Sequence, residues 1–195
     1  MPQVSAQEFE RLRLRVHTFL AGASLHDAWT VDLPHWRKGL TLDQFLRTIE
    51  GIGGPTPSPP VRILFGIRSF GGRVFGWDRE PPEPKRKSFA ERLTGDDKSR
   101  SLVPSGTLHG SFRVVYRFEN EMLLELINRT VHAAALSALV ETENAYHFYF
   151  AVYVCNVSMF TPLYMALIDP FRKLIVYPSL LRGVRASWNQ AFGTA

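Results

Sequence analysis

Hydrophobic and polar residues alternate along four consecutive stretches between residues 112 and 157. The first stretch, residues 112–118, has aromatic and branched side chains at even positions, with Arg113 and Arg117 on the other face. A period of two is typical of a half-buried strand. Three similar stretches follow, at residues 122–127, 130–140 and 146–157. Because the connections between them are short, the neighbours must be antiparallel. The pattern predicts an antiparallel meander over residues 112–157.

Apolar residues recur at helical spacing near both ends of the chain. Residues 1–22 predict an amphipathic N-terminal helix, most of it between Gln7 and Leu20. Residues 161–190 predict a long C-terminal helix, with Thr161 as N-cap and Pro162 at its first position. Pro170 should kink this helix because it lacks a backbone N–H. The apolar stripe comprises Leu163, Leu167, Pro170, Phe171, Leu174, Ile175, Pro178 and Leu181.

The region before the meander mixes a strand, helices and a long connection. Residues 26–33 predict the first strand, and Thr41 with Gln44 forms a capping box for a helix that ends near Gly51. Apolar spacing predicts another helix from Val61. Residues 78–110 are rich in proline and charge, so we expect an irregular loop or a lid, with Phe89 and Leu93 anchoring a short helix. We therefore expect one α+β domain spanning residues 1–195.

Composition narrows the class of protein. The net charge of +5 is modest and is not gathered on a recognition element, so nucleic acid is not an expected partner. The N-terminus is too charged for a signal peptide, and no segment is apolar enough for an integral membrane helix. The single cysteine, Cys155, fits a reducing compartment and a small core position. We expect a cytoplasmic protein without a cofactor.

Two motifs resemble a known family. They are Arg129-Thr130-Val131-His132 and Asp169-Pro170-Phe171-Arg172-Lys173-Leu174-Ile175-Val176. The resemblance to the family extends over most of residues 27–181. Both resemble the bacterial domain-of-unknown-function family 2867. In that family's pattern a histidine follows the proline–phenylalanine pair and an aspartate follows the strand histidine; this chain has Arg172 in the first place and alanines in the second.

The order of elements is similar to the START-like helix-grip fold, also called SRPBCC. The resemblance implies a curved antiparallel sheet wrapped around the C-terminal helix, with a cavity between them. In that superfamily such cavities hold lipids, sterols or polyketides, and a few members are enzymes.

Candidate ligand contacts follow from this picture. Small residues between Thr130 and Val140 either admit a helix closely or leave space for a ligand. His132 is interpreted as a hydrogen-bonded structural histidine, with Glu125 and Asn128 near it in sequence, and is a weak catalytic candidate. Two arginines could bind an acidic head group, or could equally lie at the surface. The candidate residues are Arg68, His132, Tyr149, Tyr153, Tyr164 and Arg172.

The sequence leaves three functions open. The first is a module that binds a small apolar or amphipathic molecule between the sheet and the C-terminal helix. The second is a cyclase or isomerase that uses His132 with Tyr149 or Tyr153 as acid and base. The third is an interaction domain, for instance a homodimer, that carries no ligand. The histidines show no metal-ligand spacing, and no cysteine–histidine motif predicts a nucleophilic enzyme.

Overall fold

A computed structural model describes residues 2–34, 38–51, 87–127, 131–155 and 160–193, with the backbone alone for residue 51 and residues 160–164. The helix predicted from Val61, together with Arg68, lies outside these residues. No helix in the described part of the chain is both long and apolar enough to span a membrane.

A seven-stranded antiparallel open sheet forms the centre of the fold, in the order β1-β2-β7-β6-β5-β4-β3. The strands are β1 (Gln3–Val4), β2 (Ser24–Pro34), β3 (Leu108–His109), β4 (Phe112–Arg117), β5 (Glu121–Ile127), β6 (His132–Glu141) and β7 (Ala145–Cys155). The predicted first strand and the four-stranded meander are confirmed. Because β2 pairs with β7 along its whole length, the first long strand of the chain lies next to the last strand in the sheet.

Helices flank this sheet and complete an α+β architecture. They are α1 (Ala6–Glu10), α2 (Arg15–Phe19), α3 (Leu42–Gly51), α4 (Gly95–Arg100), α5 (Phe160–Phe171) and α6 (Tyr177–Phe192). A π-helical turn, Arg172–Val176, joins α5 to α6 into the long C-terminal helix, and a 3₁₀ turn, Phe89–Arg92, precedes α4. The predicted capping box of α3 is confirmed, because Thr41 and Gln44 exchange hydrogen bonds of 3.1 and 3.3 Å.

Alternating side chains divide the core between two faces of the sheet. We call the face that packs against α3, α5 and α6 the front face. Its strand residues include Val31, Leu139, Phe148 and Val152, which pack with Tyr177 and Trp188 of α6. The opposite face, which we call the back face, packs against α1, α2 and the 3₁₀ turn. Its strand residues include Leu136, Tyr149 and Tyr153, which pack with Phe9, Phe19 and Phe89 of those elements. Burial of apolar side chains on both faces stabilises the sheet.

The structure corrects four expectations about these elements. Residues 2–22 form a short strand and two short helices in place of the one helix predicted over residues 1–22. The described part of residues 78–110 is more regular than expected, with Phe89 and Leu93 buried beneath the sheet as predicted. A bulge in β4 buries Arg117, which pairs with Asp43 at 2.9 Å rather than pointing to solvent.

The fourth correction concerns the C-terminal helix. The predicted apolar stripe does not face the sheet along its whole length, because Leu167, Phe171 and Leu174 are exposed. Leu181 of the predicted stripe is buried against the front face, and the other contacts come from residues outside the stripe: Met165, Ile168, Val176, Tyr177, Val184 and Trp188. A π turn contains more residues per turn than an α-helix, so the periodicity of 3.6 does not continue through it.

Candidate functional site

A buried carboxylate lies on the front face near the start of β2. The pairing of β2 with β7 shifts between Leu25 and Asp27. Leu25 packs with the back-face residues, whereas Asp27 is opposite Val152, a front-face residue. The shift is typical of a β-bulge, which interrupts the alternation of side chains along a strand. Asp27 is in phase with Trp29 and Val31 on the front face, towards the C-terminal helix. The bulge turns Leu25, and not Asp27, out of that alternation.

The Asp27 carboxylate has little compensation for its burial. Its side chain has no exposed surface, and neither oxygen accepts a hydrogen bond within the described residues. Arg172 Nη2 is 3.6 Å from Oδ2, beyond ordinary hydrogen-bond length. Burial raises the pKa of Asp27, and the charges of Arg172 and His26, with the nearby Tyr177 hydroxyl, offset this only in part, although that hydroxyl does not reach either oxygen with hydrogen-bond geometry. Asp27 is thus a group able to hold or release a proton out of contact with water.

A network of charged and aromatic groups surrounds Asp27. Asp169 accepts hydrogen bonds from Arg172 Nη1 at 2.8 Å and pairs with His26 Nε2 at 2.9 Å. Lys173 Nζ lies 3.8 Å from the same carboxylate. Arg172 Nη2 donates to the hydroxyl of Tyr177, and burial raises the pKa of that tyrosine. The network holds Arg172 away from free solvent and close to Asp27.

The π turn explains why this network forms at one place. Tyr177 N–H donates to the Arg172 carbonyl, five residues earlier. The wider turn brings the side chains of Arg172 and Tyr177 together, with the guanidinium carbon 5.1 Å from the ring centre. Pro178 follows directly and has no N–H to continue the α-helical pattern. Turns of this kind inside helices occur frequently at functional sites.

Apolar side chains line the front face beside Asp27. Trp29 packs on this face, with its ring centre 5.6 Å from the ring centre of Tyr177. Its indole Nε1 is buried and has no hydrogen-bond partner among the described residues. The remaining neighbours form one apolar group: Val131, Val152, Val154, Met165 and Tyr177, with Leu126, Ala133, Phe150, Ile168 and Val176 partly buried against it. An apolar wall thus adjoins two unsatisfied polar groups.

Three potential metal ligands meet in this network, although their spacing in sequence did not suggest it. Donor atoms of His26, Asp27 and Asp169 lie within 4.8 Å of one another. Arg172 and Lys173 already supply positive charge to Asp169. Because a cation would compete with both basic groups, the arrangement fits a salt-bridge network better than a metal centre.

His132 occupies a second polar centre, on the back face. Its Nε2 lies 2.7 Å from Oε1 of Glu125, on the neighbouring strand. The same carboxylate accepts hydrogen bonds from the backbone N–H of Phe89 at 2.6 Å and from the Ser88 hydroxyl. These bonds lower the pKa of Glu125 despite its burial. Glu125 therefore fixes the position of the 3₁₀ turn and of the imidazole together.

A cavity of about 360 Å³ adjoins this centre, and both His132 and Cys155 line it. The two residues are direct partners across β6 and β7. This pairing corrects the expectation that no cysteine–histidine pair exists. The register of the two strands, which local sequence patterns do not reveal, brings together residues 23 positions apart.

The other candidate residues are distributed over the molecule. Tyr149 and Tyr153 lie on the back face, so they do not contact the C-terminal helix as the cavity hypothesis required. Arg172 lies on the front face with Asp169. Arg68 lies outside the described residues, and Tyr164 is described by its backbone alone. Sequence reasoning missed Asp27, because strand alternation indicates the face on which a residue lies but not which helix covers that face.

Comparison with known proteins identifies the family. Residues 19–179 match the model of a family described as protein of unknown function, DUF2867. No curated protein and no solved structure matches the chain. The match covers β2, the meander, α5 and the first residues of α6, and thus contains both polar centres. The chain belongs to the DUF2867 family of proteins of unknown function.

Proposed function

We propose that the chain binds a small apolar molecule carrying a hydroxyl group, held in a helix-grip arrangement between the front face and the C-terminal helix. The observation that supports this function is the Asp27 carboxylate, fully buried and without a hydrogen bond among the described residues. A buried polar group without a partner costs free energy, typically about 1–3 kcal/mol. A ligand hydroxyl would supply the missing partner.

The charges near Asp27 favour a hydroxyl over an acidic head group. Arg172 was a candidate to bind a carboxylate or phosphate, but its guanidinium is paired with Asp169 and Tyr177. An acidic ligand would therefore be repelled by two aspartates without gaining a free arginine. A hydroxyl can donate to Asp27 when that carboxylate is ionised and accept from it when it is protonated. Arg172 then positions Asp169 and Tyr177 around the head group.

The apolar part of the ligand would contact the wall beside Asp27. Trp29 and Tyr177 offer aromatic surfaces, and Val152 and Met165 offer aliphatic ones. Trp29 also has a buried indole N–H without a described partner, which can donate to the same ligand oxygen. A mostly apolar lining with a few converging polar groups is the usual composition of a small-molecule site.

Two matched probes test this function. 2-Naphthol and 2-methylnaphthalene have similar size and shape, but only the first carries a hydroxyl. We expect quenching of tryptophan fluorescence to show that the full chain binds 2-naphthol about tenfold more tightly. Asp27→Ala should remove that preference. Asp32→Ala is the matched control, because Asp32 lies on the same strand with an exposed side chain.

Two results would contradict the proposal. One is equal affinity of the wild-type chain for both probes, and the other is an unchanged preference in Asp27→Ala. Native mass spectrometry of the freshly purified chain gives an independent readout. A released mass that corresponds to a hydroxylated apolar molecule would support the proposal and would identify the ligand.

A further inference from the structure

The back-face centre has a chemistry different from that of the ligand site on the front face. We infer that Cys155 is a nucleophilic thiol, with His132 as its general base and Glu125 as the residue that orients the histidine. The centre would accept an acyl group from a small activated ester or thioester. This inference does not depend on ligand binding at Asp27, because the two sites lie on opposite faces of the sheet.

Strand register places the nucleophile and the base side by side. His132 and Cys155 are paired across β6 and β7, and both line the same cavity of about 360 Å³. Directly opposite residues on one face of an antiparallel sheet have Cβ atoms about 4.5–5.5 Å apart. Cys155 is half-buried, whereas His132 is only 1% exposed. A substrate in the cavity could therefore reach the thiol while the base stays shielded from water.

Glu125 determines which nitrogen of His132 can act as a base. The carboxylate is the acceptor for Nε2 at 2.7 Å, so the proton of the neutral ring lies on Nε2. Nδ1 then carries the lone pair. It is buried, and it has no hydrogen-bond partner among the described residues. Phe89 packs against the ring, with centroids 4.2 Å apart, and limits its rotation.

The unpartnered Nδ1 is what distinguishes this histidine from a purely structural one. A structural imidazole normally uses both nitrogens when it is buried. Here one nitrogen is fixed by a carboxylate, and the other is left without a partner beside a thiol-lined cavity. The thiol is not hydrogen-bonded to Nδ1 in this conformation, and such contacts are often looser before substrate binds. The arrangement matches the nucleophile–base–orienting residue pattern of covalent catalysis.

The acylation step conserves atoms and charge. Sγ of Cys155 forms a bond to the acyl carbon as the bond from that carbon to the ester oxygen or thioester sulfur breaks. The thiol proton passes to Nδ1 of His132 and from there to the departing alkoxide or thiolate. The products are an S-acyl cysteine and a free alcohol or thiol, and no oxidant or reductant is consumed. Glu125 stabilises the imidazolium that forms transiently.

The test uses p-nitrophenyl acetate and the full chain. Peptide mass spectrometry after incubation at neutral pH should place one acetyl group on Cys155. The reference is a synthetic peptide with the sequence of residues 151–158, which contains the same thiol without the fold. Since a positioned general base typically contributes 10²–10⁴-fold, we expect the thiol in the protein to react about 100-fold faster than in the peptide.

Two variants distinguish loss of the general base from loss of the folded structure. His132→Gln can still donate to Glu125 but cannot accept the proton, so its acylation rate should fall to that of the peptide. His147→Gln, which changes a partly exposed histidine on β7, should react like the wild type. The inference is overturned if the wild-type chain reacts no faster than the peptide, if acetylation occurs on Lys87 alone, or if a folded His132→Gln variant retains the full rate. The first two comparisons need no variant, so a misfolded mutant would not leave the question open.

Discussion

Glu125 and Asp27 are carboxylates on opposite faces of one sheet, and each is 3% exposed. Their proton affinities nevertheless shift in opposite directions. The pKa of Glu125 is lowered, because it accepts hydrogen bonds from Ser88, Phe89 and His132. The pKa of Asp27 is raised, because burial disfavours its charged form and the nearby Arg172, His26 and Tyr177 hydroxyl offset this only in part. Burial alone therefore does not determine the charge of a buried acid; the number of donors aimed at it does.

The difference separates a structural role from a binding role. Glu125 caps a turn and orients an imidazole, so its hydrogen-bonding capacity is used within the protein. Asp27 has unused capacity on a face lined by apolar side chains. A group of this kind is a cost to the folded state unless something binds to it. The same comparison predicts opposite effects on stability when each acid is replaced.

The largest effect is expected at Glu125. Glu125→Leu keeps the volume but leaves the Phe89 N–H, the Ser88 hydroxyl and His132 Nε2 without their acceptor. Each unsatisfied buried donor costs free energy, so we expect the unfolding free energy to fall by about 3 kcal/mol. Urea denaturation measures this loss. Glu119→Leu provides an exposed control on the adjoining turn. A loss at Glu125 no larger than at Glu119 would show that the three bonds do not stabilise the fold.

Glu121 is a third buried acid, with fewer hydrogen bonds than Glu125, and we expect its replacement to have the second-largest effect on stability. It is buried on the back face, and only Oε1 accepts a described hydrogen bond, from the Arg15 N–H at 2.9 Å. Burial raises its pKa to about 7. The folded state therefore binds a proton that the unfolded state has released, and stability falls as pH rises from about 4.5 to about 7.

Glu121→Gln removes this titration. We expect the variant to be roughly 2 kcal/mol more stable than the wild type near pH 8, with the difference vanishing below about pH 4.5. Urea denaturation at several pH values gives the comparison. Glu143→Gln is the control, since Glu143 is exposed. A difference that stays constant over the pH range would rule out protonation of Glu121 as its cause.

Much of the fold was accessible from local sequence patterns. Alternation predicted β2 and the four strands of the meander, and the Thr41–Gln44 box predicted the start of α3. These signals are local, because each depends on residues within one element. The expectation that His132 is hydrogen-bonded is also confirmed, with Glu125 as its partner.

The polar sites depend on departures from regular geometry, which local periodicity does not reveal. A π turn brings Arg172 to Tyr177 beside Asp27 and leaves Leu174 exposed. The pairing of His132 with Cys155 depends on the register of two strands. Register follows from packing of the whole sheet, so a one-residue slip would have placed Cys155 on the other face.

The smallest effect is expected at Asp27, and its sign is opposite to that at Glu125. Because the folded-state pKa of Asp27 lies above the unfolded value of 3.8, the wild type loses stability as pH rises above that value. Asp27→Asn does not titrate, so we expect it to be more stable than the wild type at neutral pH, by less than Glu121→Gln, and equal to the wild type at low pH.

Paired urea curves at neutral and acidic pH measure this difference, and Asp32→Asn controls for loss of one negative charge on the same strand. If Asp27→Asn destabilises the protein at neutral pH, then the attraction of Arg172 outweighs the cost of burial. Asp27 would then belong with Glu125 as a structural acid, and its oxygens would no longer be a reason to expect a ligand on the front face.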